Sequence, residues 1–101
     1  MNKKQFQKYL DRDGGCVHCG DVETAVPHHR LNRGMGGSKE RDVPSNIISL
    51  CSIMNGLIES ESEAAEMARD YGWKLRSHQN PLTTNYYNSV KGEWVTPTDS
   101  I

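Results

Sequence analysis

Cys16-Val17-His18-Cys19-Gly20, His28-His29-Arg30 and Ile47-Ile48-Ser49-Leu50-Cys51-Ser52-Ile53-Met54-Asn55 are the stretches on which the fold turns. Two thiols two residues apart in a tight turn point the same way and can grip one tetrahedral metal ion. Cys51 can supply a third sulfur. Met54 stands where a fourth would come, and a thioether is a poor zinc ligand. Such a site is closed by water, by His18, or not at all; in the last case Cys16 and Cys19 are ordinary turn residues. A redox role for the pair is disfavoured, because no thioredoxin-like context surrounds it.

Working outward, Val22, Thr24 and Val26 alternate and predict a short strand over 22–29. Pro27 removes a ladder donor, so this strand is an edge or is ending. His28 and His29 are adjacent, and neighbours on a strand point to opposite faces. Both can serve one site only where the strand ends or bulges. Residues 30–45, with Gly34, Gly36, Gly37 and Pro44, read as a long loop, and 47–51 as a buried strand or turn. Ser60 and Glu63 suit a capping box for a helix over 61–71 ended by Gly72. That implies a shorter helix at about 53–59 with Ile53, Leu57 and Ile58 on its buried side. Asn55 and Glu59 are four apart and share one face of it. Upstream, Phe6, Tyr9 and Leu10 predict a helix over 3–11, stopped by Asp13-Gly14-Gly15. Downstream, Trp73-Lys74-Leu75 and Gly92-Glu93-Trp94-Val95 read as two short strand-like pieces.

At 101 residues the chain is one small domain, and with 35% hydrophobic residues its core is thin enough to welcome a metal or a partner. A net charge of -1 excludes a binder that is basic over its whole surface. It hides a basic segment, in which Arg30, Arg33, Lys39 and Arg41 outnumber Glu40 and Asp42. Arginines beside glycines suit phosphate contacts, because glycine admits close backbone approach and Arg binds phosphate in a fork. No apolar run reaches the roughly 18–20 residues of a membrane span. No secretory signal precedes the odd number of cysteines, so the expected compartment is the cytoplasm.

The order of these features is more specific than any one of them. Cys-x-x-Cys, His-His-Arg, Arg33-Gly34-Met35-Gly36-Gly37-Ser38, and Ser45-Asn46-Ile47-Ile48-Ser49-Leu50-Cys51 follow one another, with Asn55 and Glu59 beyond. Over about residues 16–75 this resembles the HNH endonuclease family, and in particular its small phage-encoded members. The resemblance implies an α+β fold. Its parts would be a small ββα-metal core, a cysteine-based zinc knuckle, an N-terminal helix and short C-terminal strands, with residues 76–101 as an extension of the single domain 1–101.

The resemblance also implies roles. His29 matches the general base that activates water, and Asn46 the structural amide that pins the loop and orients that base. His28, Asn55 and Glu59 match ligands of a catalytic divalent ion, Mg or Mn, with Ni or Zn as further candidates. Asn55 stands where the family usually has its last His, which makes this an H-N-N variant. Cys16, Cys19 and Cys51 match three of the four structural zinc ligands, with Met54 in place of the fourth. Arg30, Arg33, Lys39 and Arg41 would grip DNA phosphates.

The expected function is a metal-dependent DNA endonuclease or nickase that leaves 5′-phosphate and 3′-hydroxyl ends. Intrinsic sequence specificity would be low, because phosphate contacts carry no sequence information. A protein partner or self-association would have to supply specificity, and a phage-encoded member would act in the host cytoplasm. The alternative is a catalytically weak or inactive HNH-derived module that binds DNA or protein.

Overall fold

Asn2 opens the first helix. Its side-chain oxygen accepts the Gln5 N–H at 2.8 Å, and Gln5 Oε1 accepts the Asn2 N–H in return at 3.1 Å. This reciprocal cap satisfies two of the donors that every helix start leaves open. The helix, α1, runs Lys3–Asp13 and stops at Gly14, whose left-handed φ of 76° turns the chain. The computed structural model describes residues 1–32 and 41–101. After α1 come β1 (Ala25–His29), β2 (Ile47–Cys51), α2 (Ser52–Ser60), α3 (Ser62–Asp70), β3 (Tyr86–Asn88) and β4 (Glu93–Val95). Among the described residues the chain is therefore α+β, with three α-helices and two two-stranded antiparallel sheets.

β1 pairs with β2 so that Ala25 faces Cys51, His28 faces Ile48 and His29 faces Ile47. All five residues of β2 are buried, which explains why its sequence shows no polar alternation. The strand expected over 22–29 is shorter, because Asp21 turns the chain just before it. The Asp21 carboxylate accepts the Thr24 N–H and hydroxyl, and Thr24 O then accepts the Ser52 N–H. α2 follows β2 with no connecting loop and packs against both strands. Its N-cap is Cys51, whose sulfur accepts the Met54 N–H at 3.4 Å. The N-cap of α3 is Glu61, not Ser60 as expected. Ser60 still belongs to α2, where its hydroxyl donates to Gly56 O at 3.0 Å.

The second sheet pairs Tyr86–Asn88 with Glu93–Val95. The expected strand at Trp73–Leu75 is an irregular segment instead, held by Trp73 N–H to Ala68 O and Leu75 N–H to Arg30 O. Trp73, 1% exposed, sits in the core with Val17, Ile48, Leu50, Ile58 and Tyr86. Gly72 lets the C-terminal segment reach this core: φ is 75°, and a Cβ there would collide with Asn85 O.

Two buried charges tie the elements together. Asp13, fully buried, accepts from Arg12, from the Ser49 N–H at 3.0 Å and from the Tyr86 hydroxyl at 2.7 Å. It thereby joins α1 to β2 and β3. Arg30, 1% exposed, spends all five guanidinium donors on carbonyls: Nε–H on Gly72, Nη1 on Ser45 and Pro81, Nη2 on Thr84 and Asn85. Burial lowers its pKa to about 10, and it remains charged at neutral pH. Arg30 is therefore not a phosphate contact. It is the bolt that fastens the C-terminal segment to the end of β1.

Arg30→Lys should lower the unfolding free energy by at least about 2 kcal/mol, because an ammonium has three donors and no fork, and it strands buried carbonyls. Urea unfolding measures this. A loss below about 0.5 kcal/mol would show that the carbonyl cluster does not depend on the fork.

Candidate functional site

The end of β1 carries two imidazoles on opposite faces, as strand periodicity requires. His28 points into the protein and is 4% exposed. One ring nitrogen, Nε2, lies 2.8 Å from the carbonyl oxygen of Trp73. A carbonyl only accepts, so in the neutral ring the proton sits on Nε2. The other nitrogen, Nδ1, then presents a lone pair, and it faces Asn55 Oδ1 at 2.8 Å. Burial lowers the His28 pKa and disfavours a charged ring that could donate to both oxygens, although Asn55, the Trp73 carbonyl and the negative Glu59 pull the other way. The contact is satisfied by a charged ring that donates Nδ1–H, by an Asn55 amide turned so that its NH₂ donates to Nδ1, or by an ion that both atoms ligate side by side. An imidazole nitrogen and an amide oxygen are both ligands for small divalent ions. Asn55 reaches this position from the first turns of α2, and Glu59, one turn on, adds negative charge near the ring. His28 and Asn55 thus offer two donor atoms that could hold a divalent cation.

His29 leaves β1 on the other side, toward α1. Its Nε2 meets Asp42 Oδ1 at 2.6 Å, a charge-assisted distance. The pair lines a cleft of about 560 Å³ together with Gln5, Lys8, Tyr9 and Pro27. Asn46 is fully buried and pins the loop: its Oδ1 accepts the Leu31 N–H at 2.8 Å, and its Nδ2 donates to Leu31 O and Arg41 O at 3.1 and 2.9 Å. These bonds go to backbone on both sides of the loop. The ring of His29 is touched by Asp42, which directly follows the pinned Arg41. Asp42 had entered the sequence reading only as a charge, because no spacing links it to His29.

The cysteine turn holds a three-member cluster of different composition from the one expected. Ligand atoms of Cys16, His18 and Cys19 all lie within 4.8 Å of one another, so the group can hold a metal ion. Cys51 is outside this group; its sulfur accepts the Met54 N–H at the start of α2. The turn closes tightly, with Gly20 N–H on Cys16 O at 2.7 Å and Cys16 N–H on Asp21 O at 2.9 Å. Gly15 makes this possible, since at φ 95° a Cβ would strike Gly20 O. His18 stacks edge-on against Trp73 with ring centres 5.7 Å apart, which fixes one side of the cluster to the core.

Of the four expected phosphate contacts, Arg30 is buried, Arg33 and Lys39 lie outside the described residues, and Arg41 donates to Asn32 O at 2.6 Å on the surface. Lys8, on α1 in the His29 cleft, is a cation whose place the sequence did not reveal.

No protein-family model matches the chain, and no solved structure matches it. The chain is 28% identical over 94 residues to DNA ligase 4 of Saccharomyces cerevisiae; the match covers 91% of this chain and 10% of the ligase. The chain thus spans about a tenth of the length of that curated relative. Among the described residues no helix is long and apolar enough to cross a membrane.

Cobalt(II) added to the reduced, metal-free protein should give a thiolate-to-metal charge-transfer band. Cys19→Ser and His18→Ala should weaken binding at least about 10-fold, whereas Cys51→Ala should keep the band and lose stability through its helix cap. A band that survives Cys19→Ser and vanishes in Cys51→Ala would place the sulfur ligands elsewhere.

Proposed function

We propose that this chain is a metal-dependent DNA endonuclease or nickase of the HNH, ββα-metal type. What supports this reading is the approach of His28 Nδ1 to Asn55 Oδ1 at 2.8 Å, on a strand–strand–helix unit whose first strand ends at His29. In this reading His28, Asn55 and Glu59 hold a divalent ion, with Mg or Mn favoured by the oxygen donors and Ni or Zn by the imidazole. When bound, the ion would offset negative charge on the scissile phosphate and on the leaving oxygen. His29, at the last position of β1, takes a proton from the attacking water. Because the two rings leave on opposite faces, they can address one phosphate only around the end of the strand. The products would be a 5′-phosphate and a 3′-hydroxyl.

Zinc is the ion expected at Cys16, His18 and Cys19, where thiolates select a soft metal, and it would brace the turn before β1. DNA as the substrate draws some support from the similarity to a protein named a DNA ligase. Lys8 lines the His29 cleft and would contact phosphates, with little sequence preference.

A second reading is a module that binds DNA or protein without cutting. It is favoured by the 4% exposure of His28, which leaves an ion there little access to water and substrate. If Asn55 turns its amide over, its NH₂ satisfies Nδ1 without any cation. Nicking of supercoiled plasmid across a Mg²⁺ and Mn²⁺ series decides between the readings. The parent should nick, and His29→Ala should cut the rate by roughly 10²–10⁴-fold with metal affinity retained. Asn55→Ala should weaken metal binding and be partly rescued by excess metal. If the parent cleaves nothing with any divalent ion, the binding module stands.

A further inference from the structure

We propose that Asp42 is the positioning residue for His29, and that it makes Nδ1 the basic nitrogen of this chain. The inference rests on the nuclease reading above and adds a residue to it. The carboxylate oxygen lies 2.6 Å from Nε2. An ionised carboxylate only accepts, so it holds the proton on Nε2 and leaves Nδ1 as the nitrogen that carries the lone pair. It also stabilises the imidazolium that forms once Nδ1 has taken a proton. In the step this serves, water gives a proton to Nδ1 while its oxygen forms a bond to phosphorus. The bond from phosphorus to the 3′-oxygen breaks, and that oxygen takes a proton from solvent.

The position of Asp42 is set at its neighbour. Asn46 Nδ2 donates to Arg41 O at 2.9 Å and to Leu31 O at 3.1 Å, joining the chain before the loop to the chain after it. Leu31 is two residues beyond His29, and Arg41 is one residue before Asp42. The buried amide therefore brings the two members of the pair into register without touching either. Asn46 acts through the backbone, and Asp42 acts on the ring. The side chains of the pair are partly open, 23% for His29 and 37% for Asp42, so the dyad can meet a substrate in the cleft it lines. An exposed carboxylate also tolerates isosteric replacement, so Asp42→Asn should fold.

The test combines kinetics with imidazole ¹⁵N NMR at a fixed pH at which the spectrum shows the His29 ring to be neutral. In the metal-free parent, His29 should carry its proton on Nε2. In Asp42→Asn that single tautomer should give way to a mixture or to the Nδ1–H form. With Mg²⁺, Asp42→Asn should lose roughly 10²-fold or more in kcat for plasmid nicking, with KM and metal requirement within about threefold of the parent. Asp42→Glu should recover a large part of that loss. A parent with its proton on Nδ1, or an Asp42→Asn variant with unchanged kcat, would overturn the proposal. So would a loss appearing only in KM. An inactive parent would overturn the nuclease reading instead, and the NMR measurement would still decide whether Asp42 sets the tautomer.

Discussion

The guanidinium of Arg30 is the interaction on which the rest of the structure depends. Its donors meet carbonyls from the loop before β2, the end of α3 and the segment that leads to β3. These segments come from three separate parts of the chain, and the one guanidinium joins them through their carbonyls. Removing such a charge from water is costly, and the net gain in stability is modest compared with the gross strength of the bonds. What the cluster provides is geometry. It holds Gly72 in place, and the next carbonyl, that of Trp73, is the one that meets His28. The acceptor that meets His28 is thus placed by a chain of contacts that begins at Arg30, just past the end of the strand.

A period of two in β1 has consequences for chemistry. Adjacent histidines cannot share a face, so His28 is drawn into the core beside Asn55 while His29 turns to Asp42 and the cleft against α1. Each ring has one nitrogen anchored by an oxygen acceptor and the other left with a lone pair. The two anchors differ in kind. A backbone carbonyl holds the buried ring, and a carboxylate, able to stabilise a positive charge, holds the exposed one. In the proposed nuclease reading, that division makes His28 a ligand and His29 a proton acceptor.

The small core is reinforced locally as well. Cys16 and Val17 are fully buried where the cysteine turn meets β2, through the Val17 N–H to Ser49 O bond. The tail is part of the same core, since Tyr86 and Asn88 both bond to Asp13. The exposed rings of Tyr71 and Trp94 continue from Trp73 outward, with Tyr71 stacked on Trp73 at 5.1 Å.

By itself the sequence determined what local periodicity and turn chemistry can carry. It specified the N-terminal helix and its stop at Asp13-Gly14, a buried strand or turn at 47–51, the strand ending at His29, the break between the two middle helices to within one residue, and Asn55 and Glu59 on one helix face. It also marked the cysteine turn as a place where ligand atoms converge. Only the tertiary structure decided what the long-range partners are. Arg30 reads in sequence as one of four cations in a glycine-rich segment, and nothing local reveals that carbonyls from residues 45 to 85 surround it. His18 rather than Cys51 joins Cys16 and Cys19, because the turn itself brings those three ligand atoms within 4.8 Å of one another. Asp42 meets His29 because Asn46 closes a loop across backbone, a contact with no signature in spacing. Side-chain patterns report the face on which a residue lies, whereas the partner on that face depends on chain segments brought close only by folding.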